Sequence, residues 1–328
     1  MRIFSGIQPT GEKHLGNYIG AIRQYVEGQD RADPAIYCIV DLHAITVPFE
    51  PAELRERVRD TAAVLLASGL EPDRCILFRQ SDVFEHTELC WLLSSVCAHG
   101  DLNRMHQFKE KSSRQRELVS AGLFFYPVLQ AADVLAYRAD EVPVGEDQRQ
   151  HVELMRELAR RFNERFGDVL VEPELRVPES GARVMDLQDP DRKMSTTVGS
   201  DAGRVYLLDE PEAILKKFGS AVTDSGKEIR RDPGKPGISN LIGIMAVASG
   251  TTEEEVEREF GDAGYGDFKK AVGEAVVEYL RPVREAYPEI RADESGLEQV
   301  LADGAERARE IASGTVADAR EAMGLGPA

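Results

Sequence analysis

The chain reads as an α/β protein, a doubly wound parallel sheet followed by a helical domain. Three observations predict this. Short apolar runs of strand length alternate with helix-period segments through the first half of the chain. Two of those runs, 35–40 and 75–78, are apolar without interruption, as in strands covered on both faces. From Glu210 onward the strand-like runs stop and helical spacing takes over.

Taken in order, Arg2-Ile3-Phe4 ends a first strand, and an apolar-periodic helix runs to about Gly28. After the second strand at 35–40, Pro51 opens a helix on which Leu54, Val58, Ala62 and Leu65 recur every three or four residues; Gly69 closes it. Residues 75–78 form the third strand and 87–98 the next helix. The segment from about 100 to 121 is polar and basic. It breaks the alternation and reads as a short insertion between the two halves of the fold, too small for a separate hydrolytic domain. Val142-Pro143-Val144 is a further strand, and Gly145-Glu146-Asp147-Gln148 starts a helix carrying Val152, Met155, Leu158, Phe162 and Phe166. Residues 169–185 read as loops and short strands. Helices are predicted over 212–218, 238–248, 253–260, 268–284 and 297–323. Ligands of such a sheet sit beyond the carboxyl ends of its strands.

A length of 328 residues suits two domains. Met1-Arg2-Ile3 leads directly into the first turn, so no signal peptide is expected. No apolar run reaches the ~18 residues of a membrane span, because Pro127, Gln130 and Asp133 interrupt the longest, 122–137. A soluble cytoplasmic protein is expected. Cys38, Cys75, Cys90 and Cys97 show no Cys-x-x-Cys spacing, and Cys90 and Cys97 lie one heptad apart on one face of a predicted helix. Reduced thiols and no structural metal follow.

The formal charge is −18, which argues against nucleic acid as a partner. Its distribution argues the other way. From Asp101 to Arg116 five basic residues face two acids, and from Ile214 to Lys235 six face three. Two basic islands on an acidic body suit a polyanion held in one register, or else two solvated faces.

The stretch Ser5-Gly6-Ile7-Gln8-Pro9-Thr10-Gly11-Glu12-Lys13-His14-Leu15-Gly16-Asn17 joins the first strand to its helix. A strand, a glycine-bearing turn and a helix start make an anion site, through the free N–H groups and positive dipole end of the helix. His14 and Asn17 add side-chain donors, and Gly16 removes the side chain that would block close approach. Alone, such a turn only connects a strand to a helix. Far downstream, however, lies Lys193-Met194-Ser195-Thr196-Thr197.

This pair of motifs resembles the two signatures of class I aminoacyl-tRNA synthetases. Segments 5–20, 40–46, 107–111, 126–133, 142–148 and 221–241 are similar, in order, to tryptophanyl-tRNA synthetases of the bacterial type. The resemblance implies a Rossmann-like catalytic domain over 1–205 and a helical anticodon-binding domain over 206–328, its last helix packing back on the first. It implies that tryptophan is activated with ATP, accompanied by Mg2+, and then transferred to tRNA(Trp), by a homodimer without an editing activity. A tyrosine-specific relative and a non-catalytic paralogue acting as a binding protein are the alternatives.

The resemblance also distributes roles. Gln8, Pro9, Thr10, Gly16 and Asn17 match positions that touch ATP, with His14 donating toward the phosphates. Gly145, Glu146 and Asp147 match the ribose side, and the backbones of Val184 and Met194 the adenine. Asp133, a carboxylate in an apolar neighbourhood, needs a strong hydrogen bond, and the family supplies it from the indole N–H. Phe4, Val40, His43 and Tyr126 match the pocket wall and ammonium side. Two departures stand out. Gln130 falls where relatives commonly carry Met, and Thr196 replaces the second lysine of the loop. Lys111 and Lys193, with the hydroxyls of Ser195, Thr196 and Thr197, are expected to supply the missing phosphate contacts.

Overall fold

In a computed structural model, residues 1–105, 119–145, 148–176, 183–196 and 198–326 are described. Five parallel strands, β1 (Ile3–Ile7), β2 (Ala35–Ile39), β3 (Cys75–Arg79), β4 (Glu141–Pro143) and β5 (Glu174–Arg176), form one sheet in the order β3-β2-β1-β4-β5. The order reverses between β1 and β4, as in doubly wound folds, and the crevice beyond their carboxyl ends is the ligand position of such sheets.

The uninterrupted apolar runs are explained by two cores, one on each face. Ala35, Tyr37 and Ile39 of β2 join Leu15, Ile22, Tyr25 and Leu65 on one side. Ile36 and Cys38 join Phe4, Phe78, Leu135, Tyr137 and Leu158 on the other. Every residue of β2 is buried. The helical second half contributes Phe218, Leu241, Phe268 and Val272 to the first of these cores.

The first helix is not uniform. Leu15–Asn17 passes through a π-helical turn, Tyr18–Ile22, into Arg23–Gly28, and the spacing of apolar residues does not disclose that extra residue. Helix Pro51–Ala67 begins at the expected proline. Helix Glu85–Ser94 stops short of the predicted end, so Cys97 lies outside it and does not share a helix face with Cys90. Helix Ala121–Leu135 continues through Pro127, and Arg149–Phe166 follows β4. Beyond Pro211 the described chain is helical: Pro211–Gly219, Pro236–Ser249, Glu253–Phe260, Tyr265–Ala292 and Glu294–Ala322. Tyr265–Ala292 runs past both Pro282 and Pro288. Its far end is anchored on helix Pro51–Ala67, where Arg291 Nε donates to Asp60 at 2.7 Å and the Tyr287 hydroxyl to the same carboxylate at 3.2 Å.

Helix Glu294–Ala322 lies along β3, the edge strand. Arg307 Nη1 donates to the carbonyls of Pro72 (2.8 Å) and Cys75 (3.0 Å). A Cβ on Gly304 would stand 1.9 Å from the Leu77 carbonyl oxygen, so only glycine permits this approach. The helix thereby covers a sheet edge that would otherwise invite pairing with another chain. Gly304→Ala is expected to lower stability by ~2–3 kcal/mol. Urea unfolding checks this, and an unchanged midpoint contradicts it.

Candidate active site

The turn after β1 is built from its own residues and from a segment far downstream. His14 caps the helix reciprocally: its Nδ1 accepts from the Asn17 N–H at 3.3 Å, while the His14 N–H donates to Asn17 Oδ1 at 3.1 Å. The acceptor role of Nδ1 places the proton of the neutral ring on Nε2. Gly16 is needed here, because a Cβ on it would lie 3.1 Å from the imidazole. The Leu15 N–H donates to the Val205 carbonyl (2.8 Å) and the Leu207 N–H to the Lys13 carbonyl (3.0 Å), with His14 and Tyr206 bridged antiparallel between them.

Two lysines define the electrostatics. Lys13, which the sequence did not single out, is buried and donates to the Gln8 carbonyl at 2.7 Å, fixing the Gln8-Pro9-Thr10 bend from inside. Burial, aided by the charge of Arg57, pushes its pKa down to about 8. Lys193 is exposed on the second loop. Burial, then the charges of Lys13, Lys193 and Arg204, push His14 down to about 4. At neutral pH His14 is therefore an uncharged N–H donor.

The second loop meets the first through Thr196, since a Cβ on Gly11, itself at φ +63°, would lie 3.0 Å from Thr196 Cβ. Val184 and Met194 are buried against each other, the Met194 N–H donating to the Val184 carbonyl at 3.0 Å. Asn240 brackets the next residue, donating to the Met185 carbonyl (3.1 Å) and accepting from its N–H (2.9 Å). Gly145 lies at the end of β4. Glu146, Asp147, Thr197 and Lys111 lie outside the described residues.

Asp133 is buried at 1% exposure on helix Ala121–Leu135 and accepts three hydrogen bonds. They come from His43 Nε2 (2.7 Å), His86 Nδ1 (2.6 Å) and Gln80 Nε2 (2.6 Å). Burial alone would raise its pKa. The charges and hydrogen bonds of His43 and His86 outweigh burial and hold the carboxyl well below the usual carboxylate range. Gln80 is itself fixed by the Leu42 N–H (3.0 Å), and His86 by Tyr137 Oη at 2.7 Å. Phe4 stacks on Tyr137 (centroids 5.3 Å apart), Val40 packs against Gly6, and Tyr126 Oη lies 2.9 Å from His151 Nε2. Gln130 donates to Gln148 at 3.3 Å. The structure thus brings His43, Asp133 and Tyr126 together, with His86 and Gln80 as members the sequence did not disclose. A buried histidine on an apolar helix was the only available signal for His86.

The basic island at 214–235 is largely neutralised by its neighbours. Lys217 pairs with Asp209 (2.8 Å), Lys235 with Glu228 (3.5 Å), and Arg231 with Glu253. Asp209 and Glu253 lie outside the counted segment, so local charge overstated the cationic face.

The family model described as class I tRNA synthetases for tryptophan and tyrosine matches residues 1–281. The chain belongs to this family. It is 50% identical to a tryptophan–tRNA ligase of Gloeobacter violaceus, over 99% of this chain and 97% of that protein. A crystal structure of tryptophanyl-tRNA synthetase from Mycoplasma pneumoniae superposes with a TM-score of 0.91 at 34% identity, covering 99% of this chain and 98% of the other. The Campylobacter jejuni synthetase, crystallised with ADP and tryptophan, gives 0.83 at 35% identity, with coverage of 99% and 100%.

The depressed pKa of His14 fixes a pH dependence. The fold favours the neutral ring, whereas the unfolded chain takes up a proton near 6.5. Stability from this source is complete above about pH 6.5 and falls, by on the order of 3 kcal/mol, as pH drops toward 4. His14→Asn keeps a cap acceptor without titrating. Denaturant unfolding between pH 4 and 7 should show a shallower loss in that variant; parallel curves contradict the assignment.

Proposed function

We infer that this chain is a tryptophan–tRNA ligase, activating tryptophan with ATP and transferring it to tRNA. The observation that carries the reading is the Asp133 clamp. A carboxylate offers about four acceptor positions, and three are occupied by the side chains of His43, His86 and Gln80. The remaining position, on Oδ2, suits one more N–H donor, the single polar group of an indole. The ligases it matches at about 50% identity over nearly the whole chain carry the same activity by name.

In the first step a tryptophan carboxylate oxygen attacks the α-phosphorus of ATP in line. The bond to the bridging oxygen breaks and pyrophosphate leaves with the electron pair. In the second, a terminal ribose hydroxyl of tRNA attacks the adenylate carbonyl, the bond from that carbonyl carbon to the phosphate oxygen breaks, and AMP leaves with the electron pair as the hydroxyl gives up its proton. Neither step needs a protein nucleophile, so positioning and charge neutralisation carry the rate.

Gln8, Pro9, Thr10, Gly16 and Asn17 line the nucleotide, and the Nε2–H of neutral His14 donates to the phosphates. Gly145, Glu146 and Asp147 take the ribose. The backbones of Val184 and Met194, joined by the Met194 N–H to Val184 carbonyl bond, take the adenine. Lys111, Lys193, Ser195, Thr196 and Thr197 serve the pyrophosphate, and magnesium enters bound to ATP. Phe4, Val40, His43, Tyr126 and Gln130 surround the amino acid. The catalytic domain spans 1–205 and the anticodon-binding domain 206–328, in a cytoplasmic homodimer.

ATP–pyrophosphate exchange is expected with tryptophan and not with tyrosine. Removing the carboxylate leaves three buried donors unpaired, at on the order of 3–5 kcal/mol, so Asp133→Asn accompanies Asp133→Ala. In the Asn variant the KM for tryptophan should rise at least ~100-fold with that for ATP little changed. In the same assay Lys111→Ala should slow exchange. Exchange with tyrosine alone would move the tyrosine-specific reading forward, and none with either, in folded protein, the binding-protein reading.

A further inference from the structure

Thr196 stands where the synthetases this chain resembles carry their second loop lysine, which leaves the nucleotide site short of one charge. Another residue brings a cation to that place. Arg204 folds back over its own loop: Nη1 donates to the Thr196 carbonyl (2.8 Å), Nη2 to that of Gly199 (3.0 Å) and Nε to that of Ser200 (3.2 Å). Thr196 in turn abuts Gly11 of the first turn. On its other side Arg204 adjoins Val205 and Tyr206, the residues joined to Leu15 and His14, and its guanidinium lies 5.8 Å from the Tyr206 ring centre. It is therefore wedged between the two nucleotide loops.

A guanidinium carries five N–H donors. Three are engaged here, one of the two on Nη1, one of the two on Nη2 and the single one on Nε. The three acceptors are neutral carbonyls, so they orient the group without cancelling its charge. Two N–H groups remain, one on Nη1 and one on Nη2, and a guanidinium N–H of this kind donates well to a phosphate oxygen.

We propose that Arg204 is a further cation of the nucleotide site beside Lys193 and Lys111, a tethered charge that stands in for the lysine absent at Thr196 and directs its two remaining N–H groups to the leaving pyrophosphate. This rests on the reading of the chain as an ATP-dependent ligase. Arg204 makes and breaks no bond. As the bond between the α-phosphorus and the bridging oxygen opens, it stabilises the charge that builds on the departing oxygens. The exchange of lysine for arginine is also an exchange of kind, since a lysine on a free loop is a mobile point charge and Arg204 is fixed by its carbonyls.

Tryptophan-dependent ATP–pyrophosphate exchange with purified full-length protein tests this. Arg204→Gln keeps an amide donor for the loop carbonyls and removes the charge. Its kcat should fall ~10- to 100-fold with the KM for tryptophan unchanged, and adding Thr196→Lys should recover ~10-fold or more. Arg204→Lys, the variant of choice if the Gln variant does not fold, should stay within ~10-fold of wild type. A kcat unchanged in Arg204→Gln, or a fall that Thr196→Lys does not repair, overturns the proposal, the latter leaving Arg204 a purely structural tie. A wild-type protein without exchange overturns the ligase reading itself, whereas an active wild type with an unaffected Arg204→Gln variant overturns the role of Arg204 alone.

Discussion

Two backbone hydrogen bonds, Leu15 N–H to the Val205 carbonyl and Leu207 N–H to the Lys13 carbonyl, hold the candidate active site together. They join a turn at the start of the chain to a segment that follows the whole sheet. The sheet alone does not provide this, because it ends at Ile7 on one side and Pro143 on the other. Once the two segments are joined, His14 is enclosed, Thr196 reaches Gly11, and the Lys193 loop is brought over the same crevice. The buried ammonium of Lys13 holds the bend of the first turn. The helical half is tied to Met185, in the segment beside the second loop, by the Asn240 side chain.

The proposed amino-acid side of the site works on a different principle. Asp133 sits in the apolar core on one face of the sheet, where an isolated carboxylate would be strongly disfavoured. Three charged or polar donors reverse that preference and hold it anionic. Because Gln80 follows β3, His43 follows β2 and His86 lies on the next helix, the clamp closes only when both strands are in register. On the proposed reading of Asp133, specificity is coupled to folding of the sheet. A pocket that presents a buried acceptor discriminates strongly against side chains that cannot donate to it, and weakly against those that differ only in apolar bulk.

Features with a local physical cause were readable in the sequence. Doubly buried strands read as uninterrupted apolar runs, Pro51 and Gly69 punctuated a helix, and the His14–Asn17 turn combined cap chemistry with a required glycine. The two candidate nucleotide motifs stood out through their resemblance to a known family, and Asp133 as a carboxylate within an apolar run. What stayed hidden depends on residues distant in the chain. His86 and Gln80 look like ordinary polar residues until Asp133, far along the chain, accepts from both. The helix predicted over 268–284 in fact runs on to Ala292, where Arg291 and Tyr287 anchor its far end on Asp60. The cationic appearance of 214–235 is much reduced because two counter-charges, Asp209 and Glu253, come from flanking segments.

The claim on which most depends is that Asp133, anionic and three-quarters satisfied, reads one N–H of the amino acid. Replacing the indole N–H by sulfur gives 3-benzothienylalanine, which keeps the shape of tryptophan and lacks the donor. Titration calorimetry of the wild-type protein with the two amino acids measures that single bond. The anionic clamp predicts affinity for the sulfur analogue lower by at least ~30-fold, the loss of a charge-assisted hydrogen bond with its acceptor left buried. Equal affinity would contradict it and would assign Asp133 to holding His43 and His86 in place, with no direct part in recognition.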